Sequence, residues 1–141
     1  MSTVSRKILI KAPPEKVFDF ITRVEDFARH SSYIREIREV SGGVYRWRIN
    51  VLGMSLEWDA VVVKAERPSR FEWKSVSGIC NSGSYVVEPA EGGGTRVTFA
   101  MDYHLAGAGV ELLVAPCLSR IMSIVSEELL ASIKRELEAG D

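Results

Sequence analysis

Between residues 33 and 104 the chain is cut by turn residues every eight to twelve positions or so, and the segments between the cuts favour extended backbone. This rhythm constrains the fold more than any other feature. Strand after strand joined by short turns makes an antiparallel sheet, and a sheet with one apolar face needs a cover. The segments fall near 33–41, 44–52, 54–65, 69–77, 80–89 and 95–104. The breaks are Gly42-Gly43, Gly53, Pro68, Gly78 and the run Gly92-Gly93-Gly94. Residues 3–11, loosely alternating through Val4, Ile8 and Ile10, add a seventh strand.

Two hairpins can be tested for register. Pairing about Leu52-Gly53 sets Arg46 opposite Asp59 and Arg48 opposite Glu57, with Trp47 opposite Trp58, Ile49 opposite Leu56 and Tyr45 opposite Ala60. One face then carries complementary charges and the other is apolar and aromatic. A slip by one residue would invert every side chain, so the pattern favours this register. Closing the loop at 89–94 sets Glu88 opposite Arg96, Val87 opposite Val97 and Tyr85 opposite Phe99. Met101 and Tyr103 continue the inward set, while Thr98, Asp102 and His104 face out.

Helical patterns flank this region. Pro13 and Pro14 stop the first strand, and proline is tolerated in the first turn of a helix, where its missing N–H would be unpaired anyway. Val17, Phe18 and Ile21 then share one face of a short helix. Val24-Glu25-Asp26-Phe27-Ala28-Arg29 reads as a second, with its acidic residues near the start. Over 110–138 a stripe spaced by four (Leu113, Cys117, Ile121, Val125, Leu129, Ile133 and Leu137) predicts a long helix to cover the sheet. About 28 residues at 1.5 Å each give roughly 40 Å. Pro116 is expected to start or kink it.

Length and charge exclude several classes. The 141 residues suit one domain, 1–141. With 18 Lys and Arg against 19 Asp and Glu, the net charge of -1 offers no basic footprint for nucleic acid. No apolar run approaches the roughly 20 residues that span a bilayer, and the first residues lack a signal-peptide core, so a cytoplasmic location is expected. Cys80 and Cys117 are too few for a disulfide framework or zinc site and read as reduced, partly buried thiols. His30 and His104 have no metal-ligand spacing. No metal and no cofactor are expected.

A strand, two short helices, six strands and a long final helix is the order of the helix-grip fold: α+β, β-α-α-β6-α, a curved seven-stranded antiparallel sheet wrapped around the C-terminal helix. Several stretches carry a likeness in sequence. They are Ala12-Pro13-Pro14-Glu15-Lys16-Val17-Phe18-Asp19-Phe20-Ile21, Val24-Glu25-Asp26-Phe27, Trp58, Phe71-Glu72-Trp73 ahead of Ser77-Gly78, and Gly94-Thr95-Arg96-Val97-Thr98 leading to Tyr103. By these the chain resembles the START-like superfamily, within it the bacterial polyketide cyclase/dehydrase-like and coenzyme-Q-binding-like branch; pollen-allergen-like proteins share the superfamily. The resemblance implies a pocket between sheet and final helix for a lipid, quinone, polyketide or other apolar molecule. It implies no shared catalytic residues, and a fold licenses binding more than a reaction.

Trp47, Trp58, Trp73, Tyr85, Phe99, Met101 and Tyr103 fall on the inward face, and Leu113, Cys117 and Ile121 on the covering helix. These are the candidate ligand-binding residues, because ligand cavities are mostly apolar with few polar anchors. A packed core would use the same residues. Asp102 and His104 share a strand face, but the outer one, as a solvated pair. Glu57 and Asp59 are explained by Arg48 and Arg46 rather than as catalytic carboxylates. Cys117 lacks an activating partner in sequence. The glycine loops lack the strand–loop–helix setting of phosphate sites and read as hairpin turns.

Binding or transport of a small apolar molecule is therefore the expected function. An aromatase, cyclase or dehydratase using Tyr85, Tyr103 or Ser75 in the same cavity is the alternative, and a ribosome- or protein-interaction module a third. The expected entrance lies around 52–54, 78–83 and 105–109. Ligand identity and homodimer formation stay open.

Overall fold

The computed structural model of the chain describes residues 2–51, 53–104 and 115–139. In order these form β1 (Ser2–Ile10), α1 (Pro14–Thr22), a 3-10 segment (Val24–Arg29), β2 (Ile34–Ser41), β3 (Val44–Val51) and β4 (Met54–Glu66). There follow β5 (Arg70–Gly78), β6 (Cys80–Pro89), a 3-10 turn (Glu91–Gly93), β7 (Thr95–His104) and α2 (Ala115–Ala139). The order is that of the α+β helix-grip fold, as expected. The second short helix is 3-10 rather than α.

All strand pairs are antiparallel, in the spatial order β1-β7-β6-β5-β4-β3-β2. Both hairpin registers follow the charge and aromatic patterns. Arg46 faces Asp59, with N–O distances of 2.9 and 3.1 Å, and Arg48 reaches Glu57 at 3.2 Å. On the other face Trp47 and Trp58 stack with ring centroids 5.6 Å apart. Along β7, Val97, Phe99, Met101 and Tyr103 are buried, while Asp102 and His104 are exposed. Asp102 accepts a bond from the Thr3 hydroxyl at 2.8 Å.

Alternation is interrupted where β4 meets β5. The register shifts between Asp59 and Ala60 and again between Val62 and Lys64. An extra residue in one strand bends that strand and strengthens its twist, so these irregularities help hollow the inner face. The β4–β5 turn, which holds a cis Arg67–Pro68 bond, is pinned to α1 by Arg67, whose guanidinium donates to Asp19 at 2.8 and 3.0 Å.

Pro14 opens α1, and the Pro13 carbonyl accepts from the Lys16 and Val17 N–H groups. Val17, Phe18, Phe20 and Ile21 are its buried face. Residues 110–114 of the expected long helix lie outside the described residues. Pro116 sits in the first turn of the described helix, where proline is tolerated. Helix α2 buries Ile121, Met122, Val125, Leu129, Leu130 and Ile133.

Polar contacts tie α2 to the β1 edge as well. Arg6 of β1 donates to Glu127 at 3.1 Å and to the Ser123 hydroxyl at 2.6 Å. Lys134 donates to the Leu9 carbonyl and to Glu138, and Glu138 in turn accepts from the Lys11 N–H at 2.9 Å. The helix is thus fastened along the β1 edge, while the middle of the bent sheet falls away from it. Among the described residues, no helix is long and apolar enough to cross a membrane.

Candidate ligand-binding site

A cavity lies between the sheet and α2. It holds about 750 Å³ of atom-free space, part of it open to solvent, in which the centre of a water molecule can range over about 70 Å³. One buried water needs roughly 10–15 Å³ of such room, so this is space for a larger guest.

Trp47, Trp58, Trp73, Tyr85, Phe99 and Met101 line the floor, and β3 to β7 place them there by period-2 alternation. Met122, Val125, Ser126 and Leu129 of α2 form the roof. Ile21, Val24 and Phe27, from α1 and the 3-10 segment, line it as well. Tyr45, Ile49 and Phe71 complete the apolar wall. None of the described lining residues is Asp, Glu, Lys, Arg or His.

Other expected residues do not reach the wall. Tyr103 is buried at 3% exposure and is not among the described lining residues. Ile121 is buried and Cys117 half-buried, and neither lines it. Leu113 lies outside the described residues. An i, i+4 stripe turns about 40° per step, because each residue advances about 100° around a helix. Counting back from Leu129, Ile121 is therefore roughly 80° off the roof and Cys117 roughly 120°. Met122 is only about 20° off and takes the place that the stripe assigned to Ile121. Of the expected entrance, Leu52 and 105–109 lie outside the described residues, and Asn81 lines the cavity. Cys80, expected to be partly buried, is exposed.

Asn81 went unnoticed in the sequence because a lone polar residue on an apolar strand face carries no periodic signal. It is 4% exposed and firmly held. The Trp73 indole N–H donates to its side-chain oxygen at 3.0 Å. Its own amide donates to the Ile79 carbonyl at 2.9 Å, and its backbone N–H donates to Ser75. Ser75 is therefore engaged in structure. Ser126 spends its hydroxyl on the Met122 carbonyl.

Tyr85 differs. It is 5% exposed and lines the cavity, yet its hydroxyl bonds to no other described residue. Burial pushes its ionisation well above the ordinary tyrosine value, so at neutral pH it is an uncharged donor and acceptor and not a base. Tyr45 is raised as well, by burial and then by the carboxylates of Glu39 and Glu25. Among the described residues no cluster of three or more His, Cys, Asp or Glu is placed to hold a metal.

Comparison with known proteins agrees with this architecture. Residues 1–138 match the model of the family described as polyketide cyclase / dehydrase and lipid transport. Among curated sequences, none matches significantly. A protein of Deinococcus radiodurans superposes with a TM-score of 0.75 at 24% identity, covering 99% of this chain and 100% of its own. A START superfamily protein from Mycobacterium smegmatis gives 0.77 at 13% identity, with 99% of each chain covered. The Zhui aromatase/cyclase from Streptomyces sp. R1128 gives 0.79 at 17% identity, covering 97% of this chain and 93% of that one. At such identities the likeness speaks to fold alone. The family match and the helix-grip architecture together establish that this chain belongs to the polyketide cyclase/dehydrase and lipid transport family, with a START-type fold.

Proposed function

We propose that this chain binds and carries a small apolar molecule in the cavity between its sheet and α2. The observation that carries this reading is the apolar space itself, left open between the aromatic floor and the helix roof. An empty apolar cavity costs stability, by about 24 cal/mol per Å³ in engineered cases, and a guest that fills it recovers contacts on every side. The family's description, which names lipid transport, supports the same reading. Native mass spectrometry of gently purified protein, followed by thermal shift against quinones, fatty acids and polyketides, tests it. A bound species or a melting temperature raised by several degrees is expected. No adduct and no shift with any compound would sink it.

A second reading is a cyclisation or dehydration of a polyketide-like chain. The unpartnered Tyr85 hydroxyl in the wall favours it, as a donor to a carbonyl whose charge grows during reaction. Holding a flexible chain near its reactive shape supplies much of the rate in such a reaction. A reconstituted assay in which Tyr85→Phe keeps full turnover would remove Tyr85 from that role.

A further inference from the structure

Two features of the floor bear on which apolar molecule fits. The first is the setting of Trp73. On β6, Asn81, Gly83 and Tyr85 share the inward face, and Trp73 of β5 pairs with Gly83 between them. A side chain at Gly83 would meet the benzo end of the indole at 2.5 Å and the Ala100 carbonyl at 2.6 Å. The missing Cβ therefore lets the indole lie directly over β6, where Asn81 holds its N–H. Phe99 stacks beside it at 5.9 Å and Tyr85 packs at 5.8 Å. Trp73 is thus a fixed aromatic surface rather than a mobile filler.

The second feature is electrical. No charged side chain is among the described lining residues, and Glu25 and Glu39 sit close enough to Tyr45 to act on its hydroxyl. A carboxylate guest would lose its hydration without a counter-ion and meet two like charges near Tyr45. A neutral guest avoids both. Tyr85, whose hydroxyl has no hydrogen-bond partner among the described residues, packs in the wall beside the Trp73 ring.

Resting on the carrier reading, we infer that the cavity selects an uncharged, flat aromatic molecule with a hydrogen-bonding oxygen, seated against the Trp73 indole and bonded to the Tyr85 hydroxyl. Aromatic pairs gain beyond simple area burial, which separates such a guest from an alkyl chain of equal size.

Titration calorimetry at pH 7 with 2-naphthol, 2-naphthoate, 1-decanol and naphthalene tests this. The first should bind at least tenfold more tightly than the naphthoate or the decanol. Tyr85→Phe, which removes one oxygen with no described partner inside the protein, should weaken 2-naphthol about three- to tenfold and leave naphthalene unchanged. Decanol or naphthoate binding as tightly as 2-naphthol would overturn the selectivity while sparing the carrier reading. An unchanged 2-naphthol affinity in Tyr85→Phe would overturn the role of the hydroxyl. If none of the four probes bound, the carrier reading would fall with the inference.

Discussion

Tyr85 shows how much one oxygen decides. Its ring is in the core, in contact with Phe71, Trp73 and Phe99, and would pack equally well as phenylalanine. The hydroxyl has no described partner, but it is not cut off from solvent, because it keeps accessible surface toward the cavity. Tyr85→Phe should therefore leave the stability of the unliganded protein within about 0.5 kcal/mol, read by urea denaturation at unchanged m-value. A larger loss of stability would mean that the hydroxyl has a partner after all. Inward placement of Tyr85 was legible from strand parity opposite Phe99. That its oxygen is unpaired was not, because hydrogen-bond satisfaction depends on atoms from strands and helices far away in sequence.

At the scale of elements, the floor and the roof differ in how they hold. In the floor, Gly83 and Trp73 form one device, with the glycine giving the indole its seat. Gly83→Ala should push the ring off β6 at a cost of about 1–3 kcal/mol and shift the tryptophan emission spectrum. An unchanged spectrum and stability would show that the strand can yield. In the roof, Ile133 is fully buried while Met122, Val125 and Leu129 border the cavity. Ile133→Ala should thus cost about 2–5 kcal/mol in chemical denaturation, whereas Val125→Ala, already beside empty space, should cost less. Equal losses would argue that the cavity closes over Val125 in solution. The helix itself was readable from its stripe, but which face it turns to the sheet was not. A stripe spaced by four winds around the helix, and which part of it faces the sheet depends on the packing of Met122, Val125, Leu129 and Ile133, with contacts from Arg6, Leu9 and Lys11 added at the edge.

Across the whole molecule, ion pairs on the outer surface set the response to acid. The Arg46 guanidinium beside Asp59 holds its carboxyl below the ordinary value, against some opposing desolvation, with Ser77 assisting. Asp19 is lowered by Arg67 and Glu138 by Lys134 and the Lys11 N–H. A depressed carboxyl contributes stability that is complete above its unfolded value, about 4, and is lost as pH falls through the lower folded value. Asp59→Asn should therefore lower stability by about 1 kcal/mol at pH 7, with the gap to the native chain narrowing below about pH 4. Melting curves across that range check it, and a gap that widens on acidification would reverse the assigned sign.

The register of the two hairpins and the sidedness of their strands were written in the sequence, because they follow from short-range rules. Side chains alternate with period two, opposite charges sit across from one another, and glycine or proline breaks the run. Trp47, Trp58, Trp73 and Phe99 could be placed on the inner face by these rules alone. Whether that face meets the helix in a filled core or across open space could not. That depends on where bulges in β4–β5 bend the sheet and where packing and edge contacts place α2, and so on the difference between two large surfaces meeting at long range. Only the folded chain settles that difference, and it leaves the space in which a guest can sit.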